Sequence, residues 1–208
     1  MKTNLLFIIT LLFINTVAAQ MDVNAFQLTV GKSWHGTGDL NGIKVEALYE
    51  HNFSRRLSLS NALATTIHYG KDKGSNGQIP GSSPEVNLMR FTTAGIQISP
   101  LINFAVVSRS VHKIKIGGGA IFRYQSTSYP SIYGYHQNVG NEPLPYYIIY
   151  DHGKQNSFNL GYAAEISYVA LATNKWQLGV KAAFQNDTNS DAITSVSLIM
   201  GRILPRLK

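Results

Sequence analysis

The stretch that decides the fold is residues 57–69, which read LSLSNALATTIHY. Leu57, Leu63 and Ile67 belong to one alternating set, whereas the other set consists of Ser, Ala, Thr and His. Side chains of a β-strand point alternately to the two faces of a sheet. This period of two predicts a strand with one apolar face and one polar face.

The same alternation recurs along the chain. With residues 57–69 it gives eight segments: 25–31, 43–50, 57–69, 88–104, 113–124, 158–168, 176–184 and 192–203. The connections alternate between short ones, at 52–56, 105–111 and 172–174, and longer ones, at 32–41, 70–87 and 127–156, with a brief last one at 186–191. Alternating short turns and long loops are typical of membrane β-barrels.

The polar faces decide between a soluble and a membrane barrel. They are made of Ser, Gly, Ala, Gln, Lys and Glu, which cannot line an oily cavity but suit the filled interior of a small membrane barrel. Aromatic residues form two sets, one near the short turns (Tyr49, Tyr168, Trp176) and one near the long loops (Tyr69, Tyr124, Phe158, Phe184). Two aromatic belts indicate two membrane interfaces. The sequence therefore predicts an all-β, antiparallel, up-and-down transmembrane barrel of eight strands.

The N-terminus predicts export. Lys2 precedes an apolar run at residues 5–17, and small residues lead to Ala19. The run is too short to span a bilayer comfortably, and no second helical pattern follows for a buried helix to pack against, so we expect a signal peptide at residues 1–19 and a barrel domain at residues 20–208. The chain has no cysteine, which excludes a disulfide scaffold, a thiolate metal site and a lipidated cysteine.

Charge gives no indication of nucleic-acid binding. The chain has 18 Lys and Arg against 11 Asp and Glu, and the basic residues are scattered over the strand segments. Nucleic-acid-binding proteins usually concentrate such residues in one patch. No nucleic-acid partner is expected.

Two runs resemble a known family. Residues 49–59, YEHNFSRRLSL, and residues 112–119, HKIKIGGG, are similar to turn-flanking segments of small outer-membrane β-barrel domain proteins of Gram-negative bacteria. The resemblance implies location in the outer membrane, contact with its lipid and lipopolysaccharide, and insertion by the barrel-insertion machinery. One departure is the end of the chain, LPRLK, where such barrels often have a terminal aromatic residue. Either the last strand stops near Ile203 or the insertion signal is atypical.

No catalytic residue, metal site or cofactor is predicted. The six histidines, His35, His51, His68, His112, His136 and His152, contain no i, i+4 pair and no HExxH spacing. Ser60 and His68 share a face, but eight residues of strand separate them by about 27 Å. A lipid-modifying hydrolase therefore requires a Ser–His pair formed across strands.

Charged residues of both signs fall on the predicted lumen face: Lys44, Glu46, Glu50, Lys113, Lys115, Arg123, Glu165 and Lys181. They could line a narrow pore, but the interior of an eight-stranded barrel is just wide enough for side chains, which favours a plug of ion pairs. A three-residue turn at 172–174 would place Glu165 directly opposite Lys181. We expect these two to form a structural charge pair.

Residues 127–156 hold six tyrosines: Tyr129, Tyr133, Tyr135, Tyr146, Tyr147 and Tyr150. Tyrosine offers rigid, amphipathic contact area, so these residues could recognise an extracellular glycan or protein. They could equally pack against the barrel mouth. The sequence thus predicts a non-enzymatic outer-membrane barrel with a structural or surface-binding role through its extracellular loops. The alternatives are a lipid-modifying hydrolase and a narrow pore, and the sequence does not identify the ligand.

Overall fold

The chain forms one antiparallel β-sheet that closes on itself. The computed structural model describes residues 24–36, 40–73, 88–109, 111–136, 146–171, 175–189 and 191–204. The strands are β1 (Ala25–His35), β2 (Leu40–Asn52), β3 (Leu57–Lys73), β4 (Leu88–Ser108), β5 (His112–His136), β6 (Tyr146–Leu171), β7 (Trp176–Asp187) and β8 (Ile193–Ile203). Each strand pairs with its neighbours in the sequence, and β8 pairs with β1. The predicted eight-stranded up-and-down barrel is confirmed.

The last strand ends at Ile203, one of the two alternatives left open by the sequence. The predicted signal peptide at residues 1–19 lies outside the described residues. Among the described residues, no helix is long and apolar enough to cross a bilayer.

The polarity of the barrel is inverted relative to a water-soluble protein. Large apolar side chains point outward, with Leu198 66% exposed and Ile43 59% exposed, whereas Gln27, Ser60 and Thr66 are buried inside. The inversion follows from the period of two, since each strand sends one alternating set outward. A closed sheet also pairs its own backbone N–H and C=O groups, to which hydrocarbon offers no hydrogen bonds. The outer face is therefore suited to lipid.

Aromatic side chains mark both ends of the outer face. We call the end with the connections at 53–56, 109–111 and 172–175 the turn end, and the opposite end the loop end. Exposed aromatic residues lie near the turn end (Tyr49, Tyr168, Trp176) and toward the loop end (Tyr69, Tyr124, Phe158, Phe184). Their outward orientation is the one expected for residues at two membrane interfaces.

The expected long loop at 127–156 is mostly a β-hairpin. β5 and β6 stay paired up to His136 and Tyr146, while β4 pairs with β5 only as far as Ser128 and β7 reaches β6 only at Gly161. The hairpin therefore extends past the barrel at the loop end. A register shift near Pro130 interrupts its ladder. Gly, Pro and Ser residues concealed the strand pattern in the sequence.

The ladder between β4 and β5 has two interruptions within the barrel. Ser99 and Pro100 make no pairing with β5, although the register is the same on both sides. Proline has no backbone N–H to donate. A second irregularity lies at Val106, which is skipped between Ala105 and Val107 and points outward.

We predict that Leu198→Arg destabilises the barrel by about 2 to 4 kcal/mol, because this outward position lies midway along β8 and arginine is costly at the bilayer midplane. Thr194→Arg is the matched control, on the same face of the same strand but at the loop end, with an expected cost of about 0 to 1 kcal/mol. Urea unfolding of protein inserted in phosphatidylcholine vesicles measures both changes. Equal costs for the two variants would contradict the membrane-facing assignment.

Candidate functional site

The predicted lumen charges point into the barrel and form separate clusters. Nearest the turn end is the turn-end cluster, built around the buried Glu50. Its carboxylate lies 2.7 Å from Lys115 Nζ and accepts hydrogen bonds from Ser58 Oγ at 2.7 Å and Gln27 Nε2 at 3.0 Å. A buried carboxylate with several donors and one cation is well compensated.

The central cluster contains Lys44, Glu46, Glu165 and Lys181. Glu46 Oε2 lies 3.1 Å from Lys44 Nζ, and Glu46 Oε1 accepts a hydrogen bond from Lys181. Lys181 Nζ also lies 3.4 Å from Glu165 Oε2. Lys181 thus links a carboxylate on β2 to one on β6, and the four side chains alternate in charge.

The directly opposed pairing of Glu165 with Lys181 is wrong. Leu171 pairs with Gln177, so Lys181 lies opposite Ser167 and Glu165 lies opposite Ala183. The predicted three-residue turn placed β7 two residues out of register. A shift of two keeps each side chain on its face, so both residues still point inward. The lysine reaches the glutamate diagonally, a distance that long side chains can cover.

The arginine cluster lies nearer the loop end. Arg123 is fully buried and donates to Thr66 Oγ1 at 3.0 Å, Gln97 Oε1 at 3.2 Å and Gln125 Oε1 at 2.9 Å. Gly95 stands between Thr66 and Gln125 in the sheet. A Cβ at Gly95 would lie 2.7 Å from Arg123 Nη2, so the absence of a side chain there makes room for the guanidinium.

A Ser–His pair forms across strands, but between residues that the sequence did not connect. His68 Nε2 lies 2.8 Å from Ser33 Oγ, whereas Ser60 accepts a hydrogen bond from Asn103 Nδ2 at 2.9 Å. Gly42 lies opposite both Ser33 and His68 and leaves space for the imidazole to cross β2. Both Ser33 and His68 are 0% exposed. A substrate cannot reach this serine in the observed conformation.

The loop end of the lumen opens into a cavity of about 870 Å³, which we call the vestibule. Its lining consists of His35, Gly36, Leu40, Phe91, Thr93, Gln125, Thr127, Gln155, Ser157, Asn189 and Asp191. Most of these residues carry an amide or a hydroxyl. The sequence did not predict the vestibule, because its residues come from five different strands and from the β1–β2 and β7–β8 connections.

The turn between β7 and β8 positions the acidic side of the vestibule. Asp187 Oδ1 accepts hydrogen bonds from the backbone N–H groups of Asn189 at 3.0 Å and Asp191 at 3.3 Å. The Asp191 carboxylate then accepts a hydrogen bond from Gln125 Nε2 at 2.8 Å and lies 3.6 Å from His35 Nε2. The neighbouring His35 imidazole lowers the pKa of the Asp191 carboxyl despite the opposing effect of partial burial. Asp191 is therefore ionised at neutral pH.

The six tyrosines proposed for recognition fall on the β5–β6 hairpin: Tyr129, Tyr133 and Tyr135 on β5, and Tyr146, Tyr147 and Tyr150 on β6. Five of the six backbones are paired, with Tyr135 opposite Tyr147, whereas Tyr150 is skipped at a register shift. The side chains of all six lie outside the described part of the structure. Among the residues that the structure describes, no group of three or more His, Asp or Glu side chains is arranged to hold a metal ion.

No protein-family profile matches the chain, and no curated protein matches it. Several solved structures do match the chain. Ail of Yersinia pestis, crystallised in complex with the heparin analogue sucrose octasulfate, has a TM-score of 0.55 at 10% identity, over 88% of this chain and 100% of Ail. The chain and Ail therefore share the fold of a small outer-membrane β-barrel.

Two further structures agree. Neisserial surface protein A has a TM-score of 0.51 at 12% identity, over 87% of this chain and 97% of its own. The outer membrane protein OprG from Pseudomonas aeruginosa has a TM-score of 0.52 at 8% identity, over 88% and 95% of the two chains. At these identities the likeness is one of fold, and it confirms the fold that the sequence predicted.

We predict that Lys181→Met destabilises the barrel more than Glu165→Gln. The methionine leaves Glu165 without its cation, and losing one partner of a buried pair typically costs about 3 to 5 kcal/mol. After Glu165→Gln, Lys181 still contacts Glu46, so a smaller loss is expected. The double variant should recover part of the Lys181→Met loss. The free energy of unfolding in urea, followed by tryptophan fluorescence, is measured for the two single variants and the double variant. The exposed Lys154→Met is the control. Strictly additive losses in the double variant would argue against an interaction between Glu165 and Lys181.

A second prediction concerns Gly42. A Cβ there would lie 2.1 Å from the Ile67 carbonyl oxygen and 2.5 Å from His68 Cδ2, so Gly42→Ala should cost about 1 to 3 kcal/mol through overpacking. At Gly118 the nearest atom to an added Cβ is 3.5 Å away, and Gly118→Ala should be tolerated. The same urea titration compares the two variants. A harmless Gly42→Ala would mean that His68 does not need the space over β2.

Proposed function

We propose that the protein is an integral outer-membrane barrel that binds an extracellular ligand at its loop end and is neither a pore nor an enzyme. One observation carries the proposal: side-chain clusters fill the lumen, while the same barrel opens into a vestibule of about 870 Å³ at the loop end. A filled barrel with a concave mouth of this size is suited to holding a ligand.

The membrane environment follows from the outer face. The apolar surface between the aromatic belts would contact outer-membrane lipid, and the loop-end rim would meet lipopolysaccharide. We place the loop end outside the cell and the turn end in the periplasm, as in barrels with long extracellular loops and short periplasmic turns. Export by the signal peptide and insertion by the barrel-insertion machinery are part of this proposal.

The two alternatives have less support. Conduction would require the turn-end, central and arginine clusters to separate, and each consists of buried groups that compensate one another. Hydrolysis would require an accessible nucleophile, whereas Ser33 lies beneath the vestibule and is 0% exposed. Binding requires neither change. A glycan or a protein could be the ligand, and the complex of Ail with a heparin analogue supports a glycan for a barrel of this fold.

The orientation can be tested with single introduced cysteines, because the chain has no cysteine of its own. We predict that a membrane-impermeant maleimide labels Ser82→Cys and Asn141→Cys on intact cells. Arg55→Cys, at the turn end, should be labelled only after lysis. Labelling of Arg55→Cys alone on intact cells would mean that the barrel is inverted and that the loop end cannot meet an extracellular ligand.

Conductance separates binding from transport. Purified protein whose gel mobility shifts on boiling, as a folded barrel's does, should give no stable current steps in planar bilayers. Reproducible single-channel currents from the wild type would replace the binding proposal with a pore.

A further inference from the structure

We infer that the vestibule is the binding site and that it takes an uncharged, hydroxyl-rich ligand such as the end of a neutral oligosaccharide. This inference rests on the proposed function, since it requires the loop end to face the outside. It adds the position of the site and the chemical class of the ligand.

The lining provides the groups that sugar hydroxyls need. Gln125, Gln155 and Asn189 contribute amides, each with both donors and an acceptor, while Thr127 and Ser157 contribute hydroxyls that can act in either role. A sugar hydroxyl is likewise both donor and acceptor. The lining thus matches a ligand with many hydroxyl groups better than one with a single kind of polar group.

Apolar surface is also present in the vestibule. Phe91 and Leu40 line its wall on β4 and β2. Sugars present C–H faces between their hydroxyls, and such faces require apolar contact. The volume of about 870 Å³ lies within the usual range for small-ligand sites and leaves space for more than one sugar ring.

Several of the polar groups are already held in place. Gln125 is fixed at both ends, because its Oε1 accepts from Arg123 Nε at 2.9 Å and its Nε2 donates to Asp191 Oδ2 at 2.8 Å. Asn189 Nδ2 donates to Ser157 Oγ at 3.2 Å, which joins the β7–β8 turn to β6. Side chains that are ordered before binding lose less conformational entropy when a ligand arrives.

Charge argues against an anionic ligand. Asp191 is an ionised carboxylate of the vestibule, and Arg123 lies beneath it, fully buried and hydrogen-bonded to Thr66, Gln97 and Gln125. A sulfate or phosphate group would therefore meet a like charge, and the described lining contains no Lys or Arg to offset it. A cation is also less suited, since Asp191 Oδ2 already faces Gln125 and His35. A neutral ligand avoids both costs.

The experiment uses the full mature barrel in phosphatidylcholine nanodiscs, because sugar-headed detergents could occupy the vestibule. A printed array of neutral, sialylated and sulfated oligosaccharides is probed first, and titration calorimetry then measures Kd for the neutral oligosaccharide with the strongest signal. We expect neutral oligosaccharides to bind and sulfated ones to bind at least 10-fold more weakly.

Variants locate the site. Ser157→Ala combined with Asn189→Ala removes one linked pair of rim groups, and Ser157→Trp fills space at the same position. Each should weaken binding at least 10-fold. The matched control is Asn156→Ala, which removes an amide from the neighbouring residue of β6 that points outward. The control should leave Kd unchanged, and a heat-modifiable gel band confirms that each variant is folded.

The outcomes separate this inference from the proposed function. Neutral binding that both vestibule variants weaken and Asn156→Ala does not supports the inference. Neutral binding that folded vestibule variants retain would place the site elsewhere and leave the surface-binding function standing. Preferential binding of sulfated oligosaccharides, or no binding of neutral ones at millimolar concentration, would overturn the ligand class. Channel currents or an inverted orientation would instead overturn the proposed function itself.

Discussion

Closure of β8 onto β1 is the constraint on which the rest of the structure depends. In hydrocarbon an open sheet edge would leave a row of backbone groups unpaired, and closure removes the last edge. Closing eight strands also fixes a narrow interior. Polar side chains that point inward must therefore find partners across a small space, and this explains the clusters that fill the lumen.

Two glycines allow those partners to meet across an intervening strand. In the sheet, Gly42 lies between Ser33 and His68. Gly95 lies between Thr66 and Gln125, beneath the Arg123 guanidinium. In both cases a long side chain lies over the strand that lacks a side chain at that point. Lumen contacts thus connect strands that are not neighbours in the barrel. These contacts oppose sliding of adjacent strands past one another.

The sequence predicts the part of this structure that depends on local alternation. Strand number, the direction of each face and the inward position of Glu165 and Lys181 all follow from the period of two. The register of β6 against β7 does not, because it depends on the conformation of the turn at 172–175. The contact between Lys181 and Glu46 could not be predicted either, since it crosses the lumen and depends on strand tilt and stagger. The vestibule could not be predicted for a similar reason, because only closure of the barrel brings its residues together.

The interrupted ladder between β4 and β5 has a consequence for local opening. Pro100 offers no N–H to β5, and the irregularity at Val106 removes a second regular pairing from the same seam. Opening of a sheet costs least where ladder bonds are already absent. In a bilayer, a separated seam would expose its remaining backbone groups to acyl chains, which supply no replacement hydrogen bonds. The lipid therefore keeps this seam closed, and amide hydrogens along it should exchange faster when a more hydrated micelle replaces the bilayer.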